Sequence, residues 1–182
     1  MSDHQEHSAR EPGRVGNGRR SRRRTGPILA AGLAFVGIVG LTAAPAYAAQ
    51  TCRSTGNSVL CLAINGVGNG MFRVHVGIDV HMSVADAQEY IDDAGEPLRV
   101  IIFGDDGGGT DQALFIVPRT NLVASSGFGL SGDFEGTVPG SALNEDPPGQ
   151  EDEIRARVQL VDTDTNRVTA TYVSNQISGN WP

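Results

Sequence analysis

The chain has 182 residues, with 14 basic and 21 acidic side chains, a formal net charge of −7 and no lysine. Seven of the arginines and three of the acids lie before residue 28, so residues 49–182 carry 7 − 18, or −11. That balance argues against nucleic acid or an anionic membrane surface as a partner, because both need a basic face.

The first segment has the order of an export signal. Arg10, Arg14, Arg19, Arg20, Arg22, Arg23 and Arg24 precede an apolar run, Ile28–Leu41, and then the small-residue site Ala46-Tyr47-Ala48. A basic region, a short apolar region and an Ala-x-Ala site predict cleavage after Ala48. The run falls short of the about 20 apolar residues that span a bilayer, so no membrane association is expected after cleavage. Paired arginines at Ser21-Arg-Arg-Arg24 resemble a twin-arginine signal, whereas Thr25-Gly-Pro27 fits the general secretory route better. Residues 1–48 are thus read as a removed signal, and 49–182 as one domain of ordinary size.

Residues 49–57 are polar and read as a loop. Cys52 and Cys61 are the two cysteines, and in an exported chain they predict one disulfide. Closing so small a loop contributes about 2.7 kcal/mol on the chain-entropy estimate. Ser58–Ile64 is a short apolar strand. The two Asn-Gly pairs of Asn65–Gly70 then predict a hairpin turn.

From Phe72 to Met82 the chain alternates. Phe72, Val74, Val76, Ile78, Val80 and Met82 are apolar, while Arg73, His75, Gly77, Asp79 and His81 are polar or small. This is a strand with one buried face. Ser83, with Asp86 three places on, then opens a helix over residues 84–94, with Val84, Ala87, Ile91 and Ala94 on one face. Gly95 and Pro97 end it. Leu98–Phe103 reads as a strand buried on both sides and placed under that helix. Residues 104–111 form an acidic, Gly-rich loop. Ala113–Val117 is a strand, and Leu122–Ala124 and Asp133–Val138 are shorter strand candidates. Pro139–Glu151 is an acidic loop. Residues 154–160 and 167–172 alternate about the turn Asp162–Asn166, predicting a second hairpin. Trp181, the sole tryptophan, is placed to close the end of the core. Together these elements predict a mainly β fold, an antiparallel β-sandwich with one inserted helix. The alternative is an α+β open sheet with the helix packed on it.

Three sets of residues invite chemistry. Asp79 and His81 share a strand face about 6.6–7 Å apart and are close enough for one metal ion. His75 and His81 are roughly 20 Å apart and are not. The plain alternative is a solvated strand face. The second set is the acidic loops: Asp105, Asp106 and Asp111 flank three glycines, and Asp162, Asp164 and Asn166 have D-x-D-x-N spacing. Calcium takes six to eight oxygens from such loops, so calcium is the candidate ligand. Arg167 stands where a calcium loop has glycine, and ordinary hairpin turns also favour Asp and Asn. The third set, Gly127–Gly132, matches G-x-G-x-x-G but is followed by an extended segment where the motif needs a helix. Nucleophilic catalysis lacks parts, since Gly129-Leu-Ser-Gly-Asp133 fails the G-x-S-x-G elbow at its last position.

The export pattern, the lack of lysine and the runs Ala142-Leu-Asn-Glu-Asp146, Asp152-Glu-Ile154 and Gly179-Asn-Trp181 resemble small secreted proteins of actinomycetes, the high-GC Gram-positive bacteria. The resemblance covers mainly the C-terminal third. It implies a source and an extracellular compartment, and no mechanism. The expected function is an exported, non-enzymatic binding or structural domain with calcium as a structural ligand and an extracellular or cell-surface partner. The alternatives are a small hydrolase using dispersed carboxylates, and an inhibitor or toxin-like protein presenting Gly104–Asp111 or Pro139–Glu151 as a rigid loop.

Overall fold

The computed structural model describes residues 48–105, 111–147 and 150–181. The chain divides into two units, Met1–Leu41 and Thr42–Pro182, and the described residues all belong to the second. The stretch read as an export signal, apart from Ala48, lies outside them.

In chain order the strands are β1 (Ala48–Thr55), β2 (Ser58–Gly68), β3 (Met71–Val80), β4 (Leu98–Gly104), β5 (Gln112–Ile116), β6 (Arg119–Ser125), β7 (Gly129–Pro139), β8 (Asp152–Asp162), β9 (Arg167–Val173) and β10 (Ile177–Gly179). The helix α1 (Val84–Asp92) lies between β3 and β4. One sheet has the order β1-β2-β3-β7-β6, and the other β10-β8-β4-β5, with β9 also paired to β8. The strand pairs are antiparallel. The expected β-sandwich with one helix is what the chain forms.

The alternation in β3 sets the layering. Phe72, Val74, Val76, Ile78 and Val80 are buried, and they sit beside Leu60, Leu62 and Ile64 of β2 and Leu130 and Phe134 of β7. Facing them in the same core are Leu98, Val100 and Ile102 of β4 and Ile154, Ala156, Val158 and Leu160 of β8. Each of these valine, leucine, isoleucine and phenylalanine side chains contributes about 1.5–3 kcal/mol by leaving water, which makes this shared layer the main source of stability. Trp181 closes the core as expected. It is 1 % exposed and meets the Phe72 ring edge-on at 5.3 Å.

Three local expectations need correction. Residues 49–57 are mostly strand: β1 pairs residue for residue with β2, and Cys52 faces Cys61. An edge strand is held by its backbone bonds and needs no apolar alternation, so its polar sequence concealed it. Second, α1 packs on β6 and β7, while β4 lies in the other sheet between β8 and β5. Third, α1 stops at Asp92, and its cap Asp93 is extended, with its N–H donating to Glu89 O at 3.1 Å. Gly95, at φ +132°, therefore turns the chain toward β4 instead of capping the helix. Within α1, Ala87 is buried, whereas Val84 is 47 % exposed.

The β6–β7 turn has one strict requirement. Gly129 has φ +79°, and a Cβ there would stand 2.3 Å from Val80 O. Glycine meets both the left-handed conformation and the close backbone approach.

Candidate functional site

β3 presents His75 and Asp79 on the outer face of its sheet, where the register sets Asp79 opposite Ser131 and Gly77 opposite Asp133. Ser131 Oγ donates to Asp79 Oδ1 at 2.6 Å, and His75 Nε2 lies 3.4 Å from Asp133 Oδ1. Gly77 leaves a shallow hollow of about 270 Å³ between these pairs, with Cys61 on its other side. Serine and histidine thus belong to different pairs, four residues apart along the strand, or roughly 13 Å. No Ser–His–Asp relay forms there. His81 is exposed beyond the end of β3, and its backbone N–H donates to Asn57 O at 2.8 Å.

The acidic loop residues are mostly tied to arginine or to their own turns. Asp105 Oδ2 accepts from Arg155 Nη2 at 2.6 Å, and Asp111 pairs with Arg157. Both arginines alternate outward from β8, and the Arg157 guanidinium also lies 4.6 Å above the Phe103 ring. Asp106 lies outside the described residues. Asp162 Oδ1 accepts from Thr165 N at 3.1 Å. The Thr165 hydroxyl, then its N–H, hold the Asp162 carboxyl below the ordinary aspartate range. Asn166 adopts φ +53°, and its Oδ1 accepts from Arg99 Nη2 at 2.8 Å. Asp164 is exposed. Among the described residues, no three His, Cys, Asp or Glu side chains converge as a metal site would require.

Tertiary packing adds acids that the sequence reading missed. Asp86 and Glu89 of α1 and its cap Asp93 face Asp162 and Asp164 of the β8–β9 turn across a cleft of about 380 Å³, with Tyr90 and Thr165 in its wall. In sequence Asp86 read only as part of the helix start after Ser83.

The apolar concavity lies at the opposite character of surface. After Ile116 the chain leaves β4: Val117 N donates to Val100 O at 3.2 Å, and Glu135 N donates to Pro118 O at 3.1 Å. Val117 and Pro118 therefore carry the chain from one sheet to the other. Beside this crossing is a groove of about 430 Å³ with Leu98, Val100, Ile101, Val117, Pro118 and Phe134 in its walls. Arg119 and Glu96, 3.3 Å apart, form its charged rim together with Arg99. Ile116, 74 % exposed, is also one of its walls. The sequence signal for this place is the unbroken apolar run Ala113–Val117, which has no alternation and so covers both faces of an edge strand.

The disulfide expected between Cys52 and Cys61 is present and joins β1 to β2. No described helix is long and apolar enough to cross a membrane. No family model, no curated protein and no solved structure matches this chain.

Proposed function

We propose that the chain is an exported, non-enzymatic binding domain that acts at or outside the cell surface through the groove beside Val117 and Pro118. One observation carries the reading: an open apolar groove on an acidic molecule, floored by core side chains and walled by Ile116, whose 74 % exposure burial in the core does not account for. Apolar concavities with a few polar groups at the rim are the usual form of a binding site. Several groups that hydrolysis would recruit are held in separate pairs, Asp79 with Ser131, His75 with Asp133, Asp105 with Arg155 and Asp111 with Arg157, and the acids that do share a cleft, beneath α1, have no histidine or arginine among the described residues of its walls. The disulfide and the N-terminal basic and apolar pattern support export.

The test has two arms on the purified protein. Titration with an environment-sensitive apolar dye is expected to give saturable binding, weakened by I116E, a change at an exposed position. Chromogenic ester, peptide and glycoside substrates are expected to give no turnover above buffer. Absence of dye binding removes the groove from the reading, and turnover of any substrate class replaces it with the hydrolase.

A further inference from the structure

We infer that the groove takes a small apolar carboxylate, a free amphiphile of the fatty-acid kind, with its anionic head at Arg99 and its tail on Ile101 and Ile116. The inference rests on the groove reading above and names the ligand class.

Charge singles out this place. The molecule is acidic, yet the charged side chains in the groove walls are Arg99, Arg119 and Glu96, two cations and one anion. Arg73, Arg119, Arg155 and Arg157 each sit against a carboxylate. Arg99 donates instead to the neutral amide oxygen of Asn166 at 2.8 Å, and among the described residues no carboxylate forms an ion pair with it. Asp162 and Asp164 of that same turn face the acidic cleft beneath α1. A guanidinium has five N–H donors, and the bond to Asn166 uses one. The rest of the fork matches a carboxylate through two parallel bonds. Interactions between exposed charges fade over about 8–10 Å at physiological salt, so a ligand in the groove meets the charge of its walls more than the total of the molecule.

The apolar part lies where a tail would run. Ile101 pairs with Ile116 across β4 and β5. Arg99 stands two residues before Ile101 on the same strand face, about 6.6–7 Å away. Val117 and Pro118 continue the apolar wall. A volume of about 430 Å³ falls in the range of small-molecule sites. A cationic amphiphile would meet two guanidinium groups, and an uncharged one would leave Arg99 unused.

Displacement of Nile red, a neutral dye, from the purified chain at neutral pH and about 0.15 M salt tests this with three amphiphiles of one tail. These are decanoate, decanol and decyltrimethylammonium, each kept below its micelle concentration. Decanoate is expected to bind roughly fivefold tighter than decanol, and decyltrimethylammonium weaker than both. R99Q, a change at an exposed position, is expected to bring decanoate to the affinity of decanol, with the uncharged dye reporting that the groove persists. E96Q releases Arg119 from its partner and is expected to tighten decanoate about threefold. Equal binding of decanoate and decanol by the native chain, an advantage of decanoate that survives R99Q, or an E96Q variant that binds decanoate no tighter overturns the inference. Each of these outcomes leaves the groove reading standing, because the dye still binds. A native chain that binds no Nile red removes the groove reading and this inference with it.

Discussion

Asp152 shows how a single buried acid organises backbone around it. It is 1 % exposed at the start of β8, and its Oδ1 accepts from Glu145 N at 2.8 Å and Asp146 N at 2.9 Å. These bonds fold the acidic stretch after β7 back onto the sheet. D152A leaves two amide donors without that acceptor, so a loss of about 2–3 kcal/mol is expected in urea unfolding. D152N keeps one oxygen and should lose less. Asp162 behaves differently because it is only partly buried, where β8 enters its turn. Thr165 lowers its folded pKa, so its contribution to stability is present above the unfolded value, about 3.9, and is lost as pH falls through the folded value. NMR titration is expected to place its carboxyl below the ordinary aspartate value. Replacing Thr165 by valine, which removes the hydroxyl that holds it down most, should move it back up.

At the scale of elements, legibility followed the source of each element's stability. β3, β8 and β9 were readable because burying one face requires alternation, and turns such as Asn69, at φ +54°, require Asn or Gly. β1 was not, because its hold comes from the β2 backbone and the Cys52–Cys61 bond, and neither demands apolar residues. Reducing that bond is expected to lower stability by about 2–3 kcal/mol, with β1 losing amide protection in hydrogen exchange before the other strands. The start of α1 was readable from Ser83, whose Oγ accepts from Asp86 N at 3.1 Å. S83A is expected to cost about 1 kcal/mol by chemical denaturation. The end of α1 was misread because glycine at position 95 serves the approach to β4. The spacing of Gly95 and Pro97 gives no sign of which of the two jobs it does.

At the scale of the molecule, the candidate sites were the least legible part, because they depend on which elements meet. Asp162 and Asp164 were visible as a turn, but the acids of α1 that face them lie about 70 residues earlier in sequence. Likewise the sequence showed Asp105 and Asp111 as acids of one loop, and not that β8 brings Arg155 and Arg157 to them, as pairing with Phe103 and Ile101 dictates. This arrangement makes a definite forecast about calcium. An ion entering the loop at residues 104–111 has to displace both arginines, and those charges already neutralise the carboxylates that would attract it. An ion at the β8–β9 turn has to take Asp162 from Thr165 and Asn166 from Arg99. Each exchange replaces bonds already made, and only the net difference would stabilise the fold. A ligand that binds the folded chain raises its melting temperature in proportion to occupancy. The melting temperature is therefore expected to agree within about one degree between excess calcium and EDTA. A rise of several degrees in calcium, abolished by D105N with D111N, would instead establish the 104–111 loop as a cation site. The same rise abolished by D162N with D164N would place the ion in the cleft beneath α1.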